Sequence, residues 1–191
     1  MRTATSTLRT EHEAILSMLD ATAETARRVN RDEPVHLEIL EGLLEFFKVF
    51  ADRCHHGKEE ELLFPALERK GMPQTGGPIG VMLFEHEQGR ALIRRMSQAA
   101  AEIAGGNPAA AKSWAAAAHE YTALLRAHID KENNILFVMA ERILSDDEQT
   151  GLAEAFEKLE VEKMGEGTHE RLHGLMNKLR AEIFPSAEAP R

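Results

Sequence analysis

The sequence predicts an all-α protein: an up-down-up-down four-helix bundle followed by two shorter C-terminal helices. Three observations lead there. Aromatic residues make up only 5% of the 191 positions, and Ala, Leu, Glu and Arg dominate. Apolar residues recur at helical spacing, with no sustained β-branched alternation. Clusters of Gly, Pro and Asn divide the chain into four long segments and two short ones.

The first helix is expected from near Ser6 to Val29, with Leu8, Ile15, Met18 and Leu19 on one side. Asn30-Arg31-Asp32 breaks it. Pro34 suits the first turn of a second helix. That helix reads through Leu37, Leu40, Leu44, Phe47 and Phe50 to about Arg69, with a kink expected at Pro65. Residues 71–78 (GMPQTGGP) read as a loop, and a third helix follows from Ile79 to about Ala104. Asn107 is expected to cap, and Pro108 to open, a fourth helix reaching about Leu144. Ser145-Asp146-Asp147-Glu148 is a capping-box signature for a fifth helix, which Gly165 and Gly167 end. A sixth runs from Thr168 to about Ile183. Residues 1–145 therefore read as the bundle, 146–184 as an extension packed on it, and 185–191 as a tail.

Charge and composition exclude several functions. The chain has 23 Lys+Arg against 32 Asp+Glu, a net charge of −9. An acidic surface repels phosphate, so no nucleic-acid partner is expected. A hydrophobic content of 43% rules out wholesale disorder. No apolar run approaches the roughly 20 residues needed to cross a bilayer, so no membrane partner is expected. The single cysteine, Cys54, excludes an internal disulfide framework and reads as a small buried hydrophobe. Met1 to Glu13 is polar, without an apolar signal core, and a cytoplasmic location is expected.

The most informative feature is an internal duplication. The second helix contains His55-His56-Gly57-Lys58-Glu59-Glu60-Glu61-Leu62-Leu63-Phe64-Pro65. The fourth contains His128-Ile129-Asp130-Lys131-Glu132-Asn133-Asn134-Ile135-Leu136-Phe137-Val138. Without a gap they share His, Lys, Glu, Leu and Phe at the same offsets. Glu11-His12-Glu13 in the first helix likewise matches Glu85-His86-Glu87 in the third. Two helical hairpins related by a pseudo-twofold would produce this pattern.

His and Glu at i and i+4 lie one turn apart on one helix face. Two such pairs plus one His from each remaining helix give four imidazoles and two carboxylates: His12, His55, Glu59, His86, His128 and Glu132. Pointed inward, they suit two divalent transition metals. His56 and Glu60 offer a competing register, but their counterparts are Ile129 and Asn133, so His55 and Glu59 are the better ligands. Glu60 and Glu61 then read as solvated.

The ordered residues His12, His55-x-x-x-Glu59, His86 and His128-x-x-x-Glu132 resemble the hemerythrin-like, or HHE cation-binding, domain. The strings KEEELLFP and GGPIG…EHEQGR resemble its bacterial branch. The resemblance covers about residues 6 to 144. It implies a four-helix bundle holding two non-haem iron ions, joined by an oxo or hydroxo bridge and by Glu59 and Glu132. It also implies a small diatomic or peroxide ligand: a protein that binds or senses oxygen, nitric oxide or peroxide, or handles iron. An oxidoreductase turning over peroxide or a nitrogen oxide at the same site is the alternative. A metal-free helical adaptor is a third reading.

One departure matters. Hemerythrin oxygen carriers have a second His one turn after the third-helix His, and here that place is Arg90. A fifth ligand would have to come from elsewhere, and His56, Tyr121 and His169 are the candidates. His169 and His173 form an i, i+4 pair in the last helix, and an extension covering the metal-bearing end would bring His169 near the site. His119 faces away and reads as solvated. Ferritin-like centres use Glu-x-x-His twice, whereas here the motif occurs once, at Glu166 and His169.

Overall fold

A computed structural model describes residues 2–165 and 167–185. Met1, Glu166 and 186–191, with most of the expected tail, lie outside the described residues. Six helices account for the fold, and the described residues contain no strand.

Helix α1 spans Ala4–Asn30. It starts earlier than expected because Thr3 is the cap. The Thr3 hydroxyl accepts from the Ser6 amide at 3.2 Å, and the Ser6 hydroxyl accepts from the Thr3 amide at 2.9 Å. Helix α2 covers residues 37–69. Pro34 lies outside it, in an extended approach that ends at the N-cap His36. Helix α3 spans Pro78–Ala104.

Helix α4 covers residues 110–143, with Ala109 rather than Asn107 as its N-cap. Asn107 instead closes α3: its amide donates to the Glu102 carbonyl at 3.0 Å and its side chain turns back to Glu102. Helix α5, Asp146–Met164, opens with the expected Ser145–Glu148 capping box. Helix α6 spans Thr168–Ile183.

Both helices that carry a His-x-x-x-Glu pair are locally wound as π-helix. In α2 this affects Phe47–His56 and Glu59–Leu63, and in α4 Glu132–Leu136. The amides of Phe64 and Phe137 donate five residues back, to the carbonyls of Glu59 and Glu132. Pro65 follows the first of these turns. Val138 follows the second, so proline does not explain the winding. What the two turns share is the glutamate, and π turns concentrate at functional sites.

The core is two apolar clusters separated by a polar layer. On α1, Leu8 belongs to one cluster and Ile15 to the other, with His12 between them. On α2, His55 and Glu59 separate Ala51 from Leu63 in the same way. His86 separates Met82 from Leu92 on α3, and Glu132 separates Ile129 from Leu136 on α4.

The extension lies along the flank of α1 and α2 rather than across an end of the bundle. Gln149 accepts from the Thr5 amide near the start of α1, and Arg28 near its end donates to the Ile183 carbonyl. Phe156 enters one cluster, and Leu172, Leu179 and Ile183 enter the other. Each such side chain contributes about 1.5–3 kcal/mol on burial, which holds α5 and α6 in place.

Candidate metal centre

The polar layer brings together His12, His55, Glu59, His86, His128 and Glu132, all at most 1% exposed. They form two overlapping groups of four. His12, His55, Glu59 and Glu132 converge within 4.8 Å of one another, and so do Glu59, His86, His128 and Glu132. The Nε2 atoms of His12 and His55 lie 3.0 Å apart, and those of His86 and His128 lie 3.1 Å apart. Each hairpin thus supplies a pair of imidazoles, and both glutamates are shared.

The other nitrogen of every imidazole is tied down. His12 Nδ1 donates to Asn133 Oδ1 at 2.9 Å and His55 Nδ1 to Glu11 at 2.8 Å. His86 Nδ1 donates to Glu60 at 2.7 Å and His128 Nδ1 to Glu85 at 2.9 Å. A proton fixed on Nδ1 leaves the Nε2 lone pair facing the layer, the arrangement that orients metal-binding histidines. Glu60 is therefore not solvated as expected: it is drawn inward by His86 and by Arg90, 2.8 Å away.

Glu11, Glu85, Glu60 and Asn133 hold the four imidazoles in place, a task the sequence alone did not assign to them. The repeat held the signal, because Glu11 aligns with Glu85 and Glu60 with Asn133. The lysines at matching places also belong to the network. Lys58 donates to Glu11 at 2.5 Å and to Glu160 of α5 at 2.6 Å, and Lys131 donates to Glu85.

The donor set fits a pair of divalent ions. No carboxylate oxygen of Glu59 or Glu132 accepts a hydrogen bond, although imidazole nitrogens stand 3.2–3.8 Å away out of alignment. Buried carboxylates left in this state are costly, and a cation between them removes the cost. Without one, the layer splits its charge. Burial and the charge of Glu132 push the Glu59 carboxyl well above the usual range. Burial works the same way on Glu132, but His128 and His12 outweigh it and hold that carboxyl low. Burial pushes His55 down to about 4 against the pull of Glu11. His128 resists its own burial and rises to about 9 beside Glu132 and Glu85. The donors are nitrogen and oxygen only, which suits iron or zinc. The Cys54 thiol is buried and pushed up to about 12, an inert group, as expected.

Of the three candidates for a fifth ligand, the structure brings one to the layer. His56 is buried, stacks on His86 with ring centroids 3.8 Å apart, and forms a third group with His86 and His128. Its Nδ1 faces Asp52 at 3.3 Å, and burial holds its charged form well below the usual range. Arg90 turns to Asp52, Glu60 and Glu87. Tyr121 is buried edge-on against Phe47. It lines a cavity of about 210 Å³ that also reaches Lys48, Asp52, His56, Gly89 and Arg90. His169 faces Glu160 and His173 and is absent from the groups that converge on the layer. His119 is exposed. A larger groove of about 990 Å³ lies by the 74–84 segment and does not include the layer.

The sequence model of the family described as Hemerythrin HHE cation binding domain matches residues 3–140. The chain belongs to the hemerythrin family. Among its relatives is an uncharacterized protein of Mycobacterium tuberculosis, 26% identical over 86% of this chain and 64% of that one. Another is the iron-sulfur cluster repair protein YtfE of Escherichia coli, 31% identical over 68% of this chain and 59% of that one. The chain thus spans about 60% of the length of these curated relatives. No solved structure matches it. Within this hemerythrin domain no described helix is long and apolar enough to cross a membrane. The histidine and glutamate cluster makes it a metal-binding protein of the iron-binding type.

Proposed function

We propose that this hemerythrin domain holds two non-haem irons and uses them to bind or sense oxygen, nitric oxide or peroxide, or to handle iron. His12 and His55 would hold one iron, His86 and His128 the other, with Glu59 and Glu132 bridging. Bound iron would supply the redox electrons and an open coordination position for such a ligand. One observation carries the reading: two four-residue groups share a pair of buried glutamates whose oxygens accept no hydrogen bond.

The surrounding residues have separate tasks. Glu11, Glu60, Glu85 and Asn133 keep the imidazoles turned inward. His56 adds an imidazole on one side only, so the two ions would differ. The cavity beside it, of about 210 Å³, has room for several waters at about 30 Å³ each and would give a small ligand a way in from solvent. Tyr121 at its wall offers a hydroxyl to a ligand that enters. Leu8, Ile15 and the other apolar neighbours exclude bulk water from above and below.

A di-iron oxidoreductase that turns over peroxide or a nitrogen oxide at the same site is the second reading, while the iron-sulfur cluster repair role in the name of the YtfE relative favours iron handling within the first. Elemental analysis of anaerobically purified protein, joined to optical titration with oxygen and nitric oxide, tests the first reading. Less than one metal per chain after iron loading would overturn it. Multiple turnover of peroxide or nitric oxide with a reductant would favour the second. Stoichiometric iron removes the metal-free adaptor.

A further inference from the structure

The extension carries a second imidazole cluster that the metal centre does not use. His169 and His173 stand one turn apart on α6 with their Nε2 atoms 2.9 Å apart. Glu160 of α5 places Oε1 2.7 Å from His169 Nδ1. That approach lies off the ring N–H axis, so no aligned hydrogen bond forms and the contact is electrostatic. The negative charge still favours the proton on Nδ1, so that His169 Nε2 accepts from His173 Nε2, and a metal ion would take the place of that shared proton. The His169 side chain is 41% exposed and His173 is exposed, so solvent reaches the pair.

We propose that His169 and His173 form a separate surface site for a divalent late transition-metal ion, with Glu160 positioning His169. The construction repeats that of the inner layer. There, too, a carboxylate on one Nδ1 goes with two Nε2 atoms at close range, as in Glu11, His55 and His12.

Geometry narrows the ion. Metal–imidazole bonds are about 2.0–2.1 Å long, so nitrogens 2.9 Å apart subtend an angle of about 90° at a shared ion. A tetrahedral ion would spread them to about 3.3 Å. Neighbouring positions of an octahedral or tetragonal ion match better; among such ions nickel(II) and copper(II) bind imidazole most strongly, and water would fill the remaining positions. No inner ligand is part of this site, which meets the inner network only through the second oxygen of Glu160, on Lys58.

Nickel(II) is the cleaner probe because it does not cycle its redox state as copper does. Untagged full-length protein, loaded with iron, is titrated with nickel(II) by calorimetry, and iron is counted afterwards. One nickel per chain beyond the iron is expected. His173→Ala and His169→Ala should each weaken nickel binding at least tenfold without changing iron content. His119→Ala, which removes a solitary exposed imidazole, should leave it unchanged. Glu160→Gln should weaken it about tenfold, the lower end of the loss seen when an orienting partner is removed. No bound nickel, equal binding by His173→Ala, or nickel that displaces iron would overturn the proposal. Unchanged affinity in Glu160→Gln would overturn the positioning role.

Discussion

The duplicated lysines allow a controlled comparison of one residue in two environments. Lys58 and Lys131 occupy the same place in the repeat, and each donates to the glutamate that orients a ligand histidine. Their surroundings differ because α5 covers only one of them. Lys58 is 1% exposed and bridges Glu11 and Glu160, whereas the Lys131 side chain is 34% exposed. Removing one partner from a buried ion pair costs about 3–5 kcal/mol, because the remaining charge stays desolvated. A partly exposed pair is screened and contributes about 0–1 kcal/mol. Methionine keeps most of the lysine volume, so the cavity contribution is small. Lys58→Met should therefore lower stability by about 3–5 kcal/mol and Lys131→Met by about 1 kcal/mol or less. At about 2–4 °C per kcal/mol for a chain of this size, Tm falls by roughly 6–20 °C and less than about 4 °C respectively. Urea unfolding followed by circular dichroism, on iron-loaded and iron-free samples, measures both. The Lys58 loss should persist in molar salt, where exposed pairs weaken. Equal losses, or a larger loss at Lys131, would refute the claim that the extension desolvates one half of the network.

Glu59→Ala or Glu132→Ala should lose at least half of the bound iron, while Glu60→Gln should retain it with affinity reduced about 10–100-fold; elemental analysis and chelator competition separate the two. If Glu60→Gln emptied the site and Glu59→Ala did not, the assignment of Glu59 would be wrong. His56→Ala should keep iron but alter the optical response to nitric oxide on one iron, and an unchanged spectrum would return His56 to a packing role. Glu11 provides a pH dependence. Despite its burial, His55 and Lys58 pull its folded value from 4.5 down to about 2. The unfolded chain then binds the proton more tightly, so stability is fully present above about pH 4.5 and is lost as pH falls towards 2. The loss is at most about 3 kcal/mol. Urea midpoints of metal-stripped protein between pH 6 and pH 3 should fall less in Glu11→Gln than in the parent chain.

Much of this was legible in the sequence because two independent signals agreed. Gly105, Gly106 and the Ser145 capping box placed helix ends, and the His-x-x-x-Glu repeat placed the six central residues on inward faces. Helix starts were less legible. Thr3 caps through a side-chain box with Ser6, Ala109 caps with no side-chain bond at all, and neither Pro34 nor Asn107 takes the position its propensity suggests. The π turns were invisible, since nothing in the residues after Glu132 marks an extra residue in the turn. Glu60 was misjudged because a helical wheel gives its direction but not the Arg90 and His86 that draw it inward. The path of α5 and α6 along the flank depends on which grooves lie open, and their apolar spacing does not encode that.

The cross-bracing of the layer has a bearing on how the molecule is assembled. His12 belongs to the first hairpin but is oriented by Asn133 of the second, and His86 of the second is oriented by Glu60 of the first. Each prospective iron likewise takes its imidazoles from one hairpin and one glutamate from the other. Neither hairpin alone is a finished chelator. If the layer takes metal as proposed, capture would follow docking of the two halves, and iron content would then report correct pairing of the hairpins.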